Sequence, residues 1–301
     1  MVKSGIVIDI CICTFRRPHV AETLRSLSRL ALGPDCSINV IVADNDDAPS
    51  ARVIVEKTAR GCGLPVRYIH APAHNISVAR NACLDAATAP LVAFIDDDEL
   101  ADAQWLAALL TTLDSSKADV VLGPVQAVYG RDCPNWMVKG DFHSIRPVCV
   151  GDEIKTGYTS NVLVRRSAAP LEGRRFRLDL GRGGEDTVFF SEVWRAGGKI
   201  AYAPDAFVTE AVAPERASLL WLMKRRFRFG QTHALVLMQD HGGIGGRVKL
   251  FALAAVKAGI CSLAAFPNIA GASRFWYWIL RGTLHVGIGV RVLSGLPAKA
   301  S

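Results

Sequence analysis

Half of the 301 residues are hydrophobic and 21% are charged, which excludes a disordered chain or a fibrous repeat and suits one large domain, or one with an appendage. The net charge of +7 is unevenly placed: residues 216–301 carry 12 Lys/Arg against the single acid Asp240, leaving 23 Lys/Arg against 27 Asp/Glu in residues 1–215. The resulting balances of +11 and −4 exclude a surface made throughout for nucleic acid and reserve the search for an anionic partner to the tail.

Eight cysteines occur without any C-x-x-C spacing, and the chain opens without a charged and apolar leader. Reduced thiols in the cytosol, and no cysteine-held metal, are expected.

Apolar runs of strand length alternate with helical patterns from the start. Strands are predicted over Ile6–Cys13, Ile38–Ala43, Val66–His70 and Leu91–Ile95. The intervening helices run from about Pro18 to Leu30, Ala51 to Arg60, Ile76 to Ala87 and Ala101 to Leu113. Runs this apolar, each followed by a helix, predict an α/β fold with a parallel sheet covered on both faces. Residues 124–147 break the rhythm as a long irregular stretch. Strands return near Asn161–Arg165, Lys199–Ala203 and Ala206–Thr209, with a helix over about Asp186–Ala196. From Ser218 onward the chain reads as helical, basic and apolar.

In that tail, Leu250–Phe266 is 17 residues interrupted by Lys257. At about 1.5 Å per residue it spans roughly 25 Å, short of a hydrocarbon core of roughly 30 Å. Phe275–Val290 is broken by Arg281. With Trp276, Tyr277 and Trp278 together and Arg247, Lys249, Arg274 and Arg291 nearby, helices lying in a membrane interface are expected. The alternative is ordinary amphipathic packing on the body.

Two nucleotide motifs are excluded. Strand 1 ends in Cys13-Thr14-Phe15-Arg16-Arg17-Pro18, without the glycines of a dinucleotide turn. Around Gly197-Gly198-Lys199, Val193 stands where a P-loop needs glycine and Ile200 where it needs Ser or Thr. What the strand ends offer instead is acid: Asp44, Asp46 and Asp47 after the second strand, and Asp96, Asp97, Asp98 and Glu99 after the fourth. Ligands of open parallel sheets bind at that edge. So many carboxylates at the end of a buried strand repel one another, and a hard divalent ion bridging phosphate oxygens is the natural compensation. Asp98 and Glu99 acting only as helix caps is the simpler alternative, but it leaves Asp96 unexplained.

These pieces occur in one order: Cys13 to Pro18, Ala43-Asp44-Asn45, Ser77-Val78-Ala79-Arg80-Asn81, Phe94-Ile95-Asp96-Asp97-Asp98, Gly183-Gly184-Glu185-Asp186, and Arg225-Arg226-Phe227-Arg228-Phe229-Gly230. In that order the chain resembles a bacterial family 2 glycosyltransferase of the GT-A fold over about residues 5–235. It is most similar to exopolysaccharide glucosyltransferases that elongate a lipid-linked oligosaccharide, as in succinoglycan assembly.

The resemblance implies a nucleotide site of Thr14, Asp44, Arg80, Asp96 and Asp97, with Asp44 accepting from the uracil N3 proton and Asp96 on the ribose side. It implies Mg²⁺ or Mn²⁺ held by Asp98 and by Glu210, at a place where relatives often carry histidine. Asp186 would be the base of an inverting transfer, and Arg226 and Arg228 would meet the leaving diphosphate or an anionic lipid. The expected reaction moves glucose from a UDP-sugar to a lipid-linked oligosaccharide at the cytoplasmic face of the bacterial inner membrane, with residues 1–215 as the catalytic domain and 216–301 as a membrane-associating region. A sugar-phosphate nucleotidylyltransferase is the runner-up enzyme, although it would need a glycine-rich loop after strand 1. A polybasic membrane or nucleic-acid binding module is the non-enzymatic rival.

Overall fold

The computed structural model describes residues 5–181, 183–241, 243–269 and 271–294. The ends expected for the two domains, at residues 1 and 301, lie outside them. The chain forms two compact units. The first comprises 1–126 and 145–210, the second 127–144 and 211–301.

The first unit opens with β1 (Ile6–Thr14), α1 (Val20–Leu27), β2 (Cys36–Asp44), α2 (Arg52–Cys62), β3 (Val66–His70), α3 (Ile76–Ala86) and β4 (Leu91–Ile95). β5 (Glu99–Ala101), α4 (Trp105–Ser116), β6 (Val120–Leu122) and β7 (Val125–Val128) follow, and the chain then enters the second unit for α5 (Asn135–Gly140). Back in the first unit lie β8 (Cys149–Val150), β9 (Glu153–Ile154), β10 (Asn161–Arg165), α6 (Glu185–Arg195), β11 (Ile200–Tyr202) and β12 (Val208–Ala211). The second unit is completed by α7 (Leu219–Asp240), α8 (Gly243–Ala265) and α9 (Ala272–Ser294).

Seven strands form the main sheet in the order β11-β6-β10-β4-β1-β2-β3. β1, β2, β3 and β4 are parallel, as the alternation predicts, but β10 runs antiparallel to both β4 and β6. The sheet is thus mostly parallel, as the GT-A resemblance implies, with β10 as its antiparallel member. β10 arrives after the long excursion of 124–160 rather than through a strand–helix–strand crossover, so nothing holds it to the parallel direction.

Burial explains the apolar runs. Ile8, Ile10 and Ile12 face one core with Val40, Val42, Ala93 and Ile95, while Cys11, Ile41, Ala43, Val92 and Phe94 face the other. Both faces of β1, β2 and β4 are therefore dry, which fixes where those strands end and hence where their polar termini emerge. All eight cysteines are free thiols, and Cys11 lies in the second core beside Cys83.

Two boundaries differ from the sequence reading for local reasons. The helix expected from Ala101 starts at Trp105, because Glu99–Ala101 is drawn into an antiparallel pairing with Val208–Glu210. The stretch 124–147, expected to be irregular, holds β7 and α5, and most of it joins the tail helices.

In the second unit, Met137 and Phe142 pack with Leu222 and Leu280. α7 and α9 cross closely where Gly230 meets the backbone at Leu284 and Gly287 meets that of Phe227, positions at which a Cβ would clash with backbone oxygen. α8 and the turn after it, Gly243–Asn268, run for 26 residues and contain an 18-residue window of mean hydropathy 1.8. At 1.5 Å per residue that window is roughly 27 Å, close to a hydrocarbon core of roughly 30 Å, so by length and composition alone α8 is a candidate span. Ile244, Val248, Val256, Ile260 and Leu263 on it are exposed.

Candidate active site

The carboxyl ends of β1, β2 and β4 converge on one edge of the sheet. Two of the side chains there tie the scaffold together. The Thr14 hydroxyl donates to Asp97 Oδ2 at 2.7 Å, and Arg17 Nη1 donates to Asp97 Oδ1 at 3.0 Å. Thr14 and Asp97 are both buried. The same Arg17 nitrogen reaches Asp98 Oδ2 at 2.6 Å, so one guanidinium bridges consecutive acids. At the end of β2, Asp44 is fully buried, and its carboxylate accepts from Asp46 N–H at 3.1 Å, Ala51 N–H at 2.9 Å and the Tyr68 hydroxyl at 2.6 Å. Asp46 pairs with Arg16 at 2.8 Å, a contact that pulls the Asp46 carboxyl down to about 2.

The acids beyond β4 are different. Asp96 keeps 43% of its side chain exposed, stands 4.0 Å from Arg80, and is pushed up to about 7 because the surrounding protein displaces its water and Asp98, Asp97 and Glu210 add their charge against Arg80. Glu99 is buried, accepts from the Asp96 N–H at 2.9 Å, and is raised by burial and by Asp96, with Glu210 adding to both. Glu210 lies opposite Glu99 in the β5–β12 pairing. Like charges directly opposite in a ladder are destabilising. This concentration of hard oxygen donors around Asp96 suits a divalent cation at Asp96, Asp98 and Glu210. Among the described residues, the trio whose ligand atoms already lie within 4.8 Å of one another is a different one, Asp46, Asp47 and His74.

The third contribution is the start of α6. Gly183 and Gly184 take φ of 139° and 91°, which only glycine adopts freely, and Gly184 is the N-cap. Asp186 is therefore inside the first turn and not the cap. Its Oδ1 accepts from Thr187 N–H at 2.6 Å, and the side chain is half-buried. Glu185 beside it is buried and closes on Arg80 in an ion pair. Burial opposes the charge on Arg80, but Glu185, Asp186 and Asp96 outweigh it and raise its pKa. One arginine thus stands between the acidic end of β4 and the acidic start of α6.

Residues 9–170 match the family described as Glycosyl transferase family 2. The chain belongs to that family. It is 50% identical over 300 residues to the succinoglycan biosynthesis protein ExoM of Rhizobium meliloti, covering 98% of this chain and 94% of that one. A poly(ribitol-phosphate) beta-N-acetylglucosaminyltransferase, TarS of Staphylococcus aureus, is 27% identical over 121 residues, 40% of this chain and 21% of that protein.

Among solved structures, a mannosyltransferase from Pyrobaculum calidifontis in complex with GDP-Man and Mn²⁺ superposes with a TM-score of 0.64 at 17% identity, over 96% of this chain and 87% of that one. TarS 1-349 in complex with UDP-GlcNAc gives 0.53 at 14% identity, over 94% and 92%. The fold is that of the GT-A glycosyltransferases, as the motif order implied. Family membership leaves the nucleotidylyltransferase and the non-enzymatic binding module without support.

In this family 2 glycosyltransferase the expected site residues divide between the first unit and α7. Thr14, Asp44 and Asp97 were expected to touch the nucleotide, yet their polar atoms are buried and engaged by protein groups. These bonds brace the edge. Asp98 was expected to be a metal ligand and holds Arg17, so a cation there would share it with the arginine. Asp96, Asp98, Glu210, Arg80 and Asp186 lie in the first unit close enough for Arg80 to feel Asp186 and Asp96, and for Asp96 to feel Asp98 and Glu210. Arg226 and Arg228 belong to the second unit, on α7, where Arg226 donates to the Phe142 carbonyl at 3.4 Å and Arg228 is exposed. Arg17 and Glu185 carry no role of their own in the sequence, and Glu99 appears there only among the strand-end acids. Glu185 carried a signal, since an acid adjacent to the expected base and buried at a helix start needs a cation.

Proposed function

We propose that the chain is an inverting, metal-dependent glycosyltransferase that moves glucose from UDP-glucose to a lipid-linked oligosaccharide during exopolysaccharide assembly, at the cytoplasmic face of the bacterial inner membrane. The observation that carries the reading is the arrangement around Arg80: Asp96 at the end of β4 lies 4.0 Å from its Nη2, while its Nη1 pairs with Glu185, the neighbour of Asp186. The near full-length identity to a succinoglycan biosynthesis protein supports the polysaccharide context.

In this reading Asp186 accepts the proton of the acceptor hydroxyl as that oxygen bonds to the anomeric carbon. The bond from that carbon to the diphosphate breaks on the opposite face, and its electron pair leaves with the nucleotide. Asp96, Asp98 and Glu210 would hold Mg²⁺ or Mn²⁺, which supplies charge neutralisation for the departing diphosphate. On the second unit, exposed Arg228 and half-buried Arg226 offer positive charge to an anionic lipid.

The second unit holds the enzyme to anionic lipid. Its exposed apolar face on α8 lies in a segment whose only acid is Asp240, with Arg247, Lys249 and Arg274 flanking it.

The test is Asp186→Asn. Metal-dependent UDP binding is expected to persist while transfer falls by about 10² to 10⁴, the worth of a positioned base. Near-normal turnover removes Asp186 from the reaction.

A further inference from the structure

The edge of α3 grips the chain that leads into α6. Asn81 makes two bonds to Phe176, its Nδ2 donating to the carbonyl and its Oδ1 accepting from the N–H, both at 2.9 Å. The Ser77 hydroxyl donates to the Arg177 carbonyl at 2.8 Å, and Asn75 Nδ2 to the Leu178 carbonyl at 2.8 Å. The Ile76 N–H donates to the Gly181 carbonyl at 3.0 Å, and Gly181 packs so tightly that a Cβ there would overlap Asn75. The last grip is Arg80 on Glu185, the first residue of α6.

A buried ion pair is a poor way to gain stability, because two charges leave water for one contact and an apolar pair of similar volume does as well or better. Here the cost is visible. Glu185 Oε2 is buried without a hydrogen-bond partner among the described residues, and burial pushes the Glu185 carboxyl up. What the pair does provide is position: Arg80 also stands 4.0 Å from Asp96, and Glu185 is covalently joined to Asp186.

We propose that Glu185 is a positioning residue for the transfer. By closing on Arg80 it fixes the first turn of α6, and with it the Asp186 carboxylate, relative to the acidic end of β4 that takes the donor. The proposal rests on Asp186 as the base.

The experiment is a double-mutant cycle in the full chain with Glu185→Gln, Asp186→Asn and both together, reading transfer, donor KM and Mn²⁺-dependent UDP binding. Glu185→Gln is expected to lower kcat by about 10- to 100-fold, the effect of displacing a reacting group by about 1 Å. Donor KM and UDP affinity should move less than about threefold, since ground-state binding is untouched. Glu185→Asp should recover part of the loss. In the Asp186→Asn background Glu185→Gln should cost nothing further, because the group it positions is gone.

Losses that multiply in the double variant, or a fall in UDP binding matching the fall in transfer, overturn the proposal. Full activity of Asp186→Asn alone instead overturns the assignment of the base. Should Glu185→Gln not fold, Asn81→Ala, which releases the Phe176 grip, carries the same cycle with the same expected and contrary results.

Discussion

Glu210 stands opposite Glu99 in the antiparallel pairing of β5 and β12, with Asp96 donating its backbone N–H to the Glu99 carboxylate at 2.9 Å. Two facing carboxylates at the end of a buried strand make the local field negative, and a divalent cation is the species that relieves it. Removing one acid should therefore weaken the cation more than the fold. Glu210→Gln and Asp98→Ala are each expected to lower Mn²⁺-dependent UDP affinity by at least about tenfold while leaving the melting temperature close to that of the parent. Calorimetry showing unchanged Mn²⁺-dependent binding in both variants would reduce the cluster to a charged rim.

Asp96 gives this site a pH dependence with a definite sign. Its carboxyl titrates near 7, above its ordinary 3.8, so between those values the free protein holds a proton that a cation must displace. Affinity for Mn²⁺ and UDP should fall as pH drops below about 7, by up to about tenfold per unit for one coupled proton. The folded state, binding that proton more tightly than the unfolded chain, gains stability from Asp96 on the acid side of this window and loses it as pH rises through 7. Asp96→Asn should flatten both dependences; a slope of binding on pH that survives in the variant would assign the proton elsewhere.

Asp44 is predicted to act on the fold and not on base selection. Replacing it with Ala strands the amides of Asp46 and Ala51 and the Tyr68 hydroxyl in a buried setting, at a cost of about 2–4 kcal/mol. Chemical denaturation measures that loss. Binding of UDP and CDP should decline in parallel, and a loss confined to uridine nucleotides would restore Asp44 to the nucleobase.

Much of this was legible in the sequence because it depends on neighbours in the chain. The runs Ile6–Cys13, Ile38–Ala43, Val66–His70 and Leu91–Ile95 end within two residues of the observed strands, since both faces of β1, β2 and β4 are buried and no polar residue can enter them unpaired. Where those strands stop, the acids begin, so the edge carrying Asp44 and Asp96 could be placed without coordinates.

What could not be placed depends on partners far away. Asn81 reads as an ordinary helix residue until Phe176 lies against it, and Glu185 reads as a neighbour of the base until Arg80 closes on it. The three-residue β5 and β6 carry too little periodicity to be distinguished from their flanks. Thr14 and Asp97 likewise show in the sequence only as residues typical of a ligand site, and their bond to each other needs the fold that brings the ends of β1 and β4 together.

The second unit yields a prediction about lipid. Val256, Ile260 and Leu263 are exposed on α8, so Val256→Glu and Leu263→Glu should leave the helices folded and reduce sedimentation with anionic vesicles. Because the attraction is partly Coulombic and the Debye length falls to about 3 Å at 1 M salt, salt should release a fraction of the parent protein and detergent the rest. Parent protein that stays in solution with such vesicles present would make the α8 face ordinary surface.

The central claim is transfer from a uridine diphosphate sugar, and the most direct measurement is nucleotide release from a panel of UDP-, GDP-, dTDP- and CDP-sugars, with and without Mn²⁺, in the presence of a lipid-linked oligosaccharide acceptor. Mn²⁺-dependent UDP release from UDP-glucose is expected, with a product of inverted anomeric configuration by NMR and loss of both in Asp186→Asn. Absence of nucleotide release from every donor, or release of a different nucleotide with UDP-sugars inert, would contradict it.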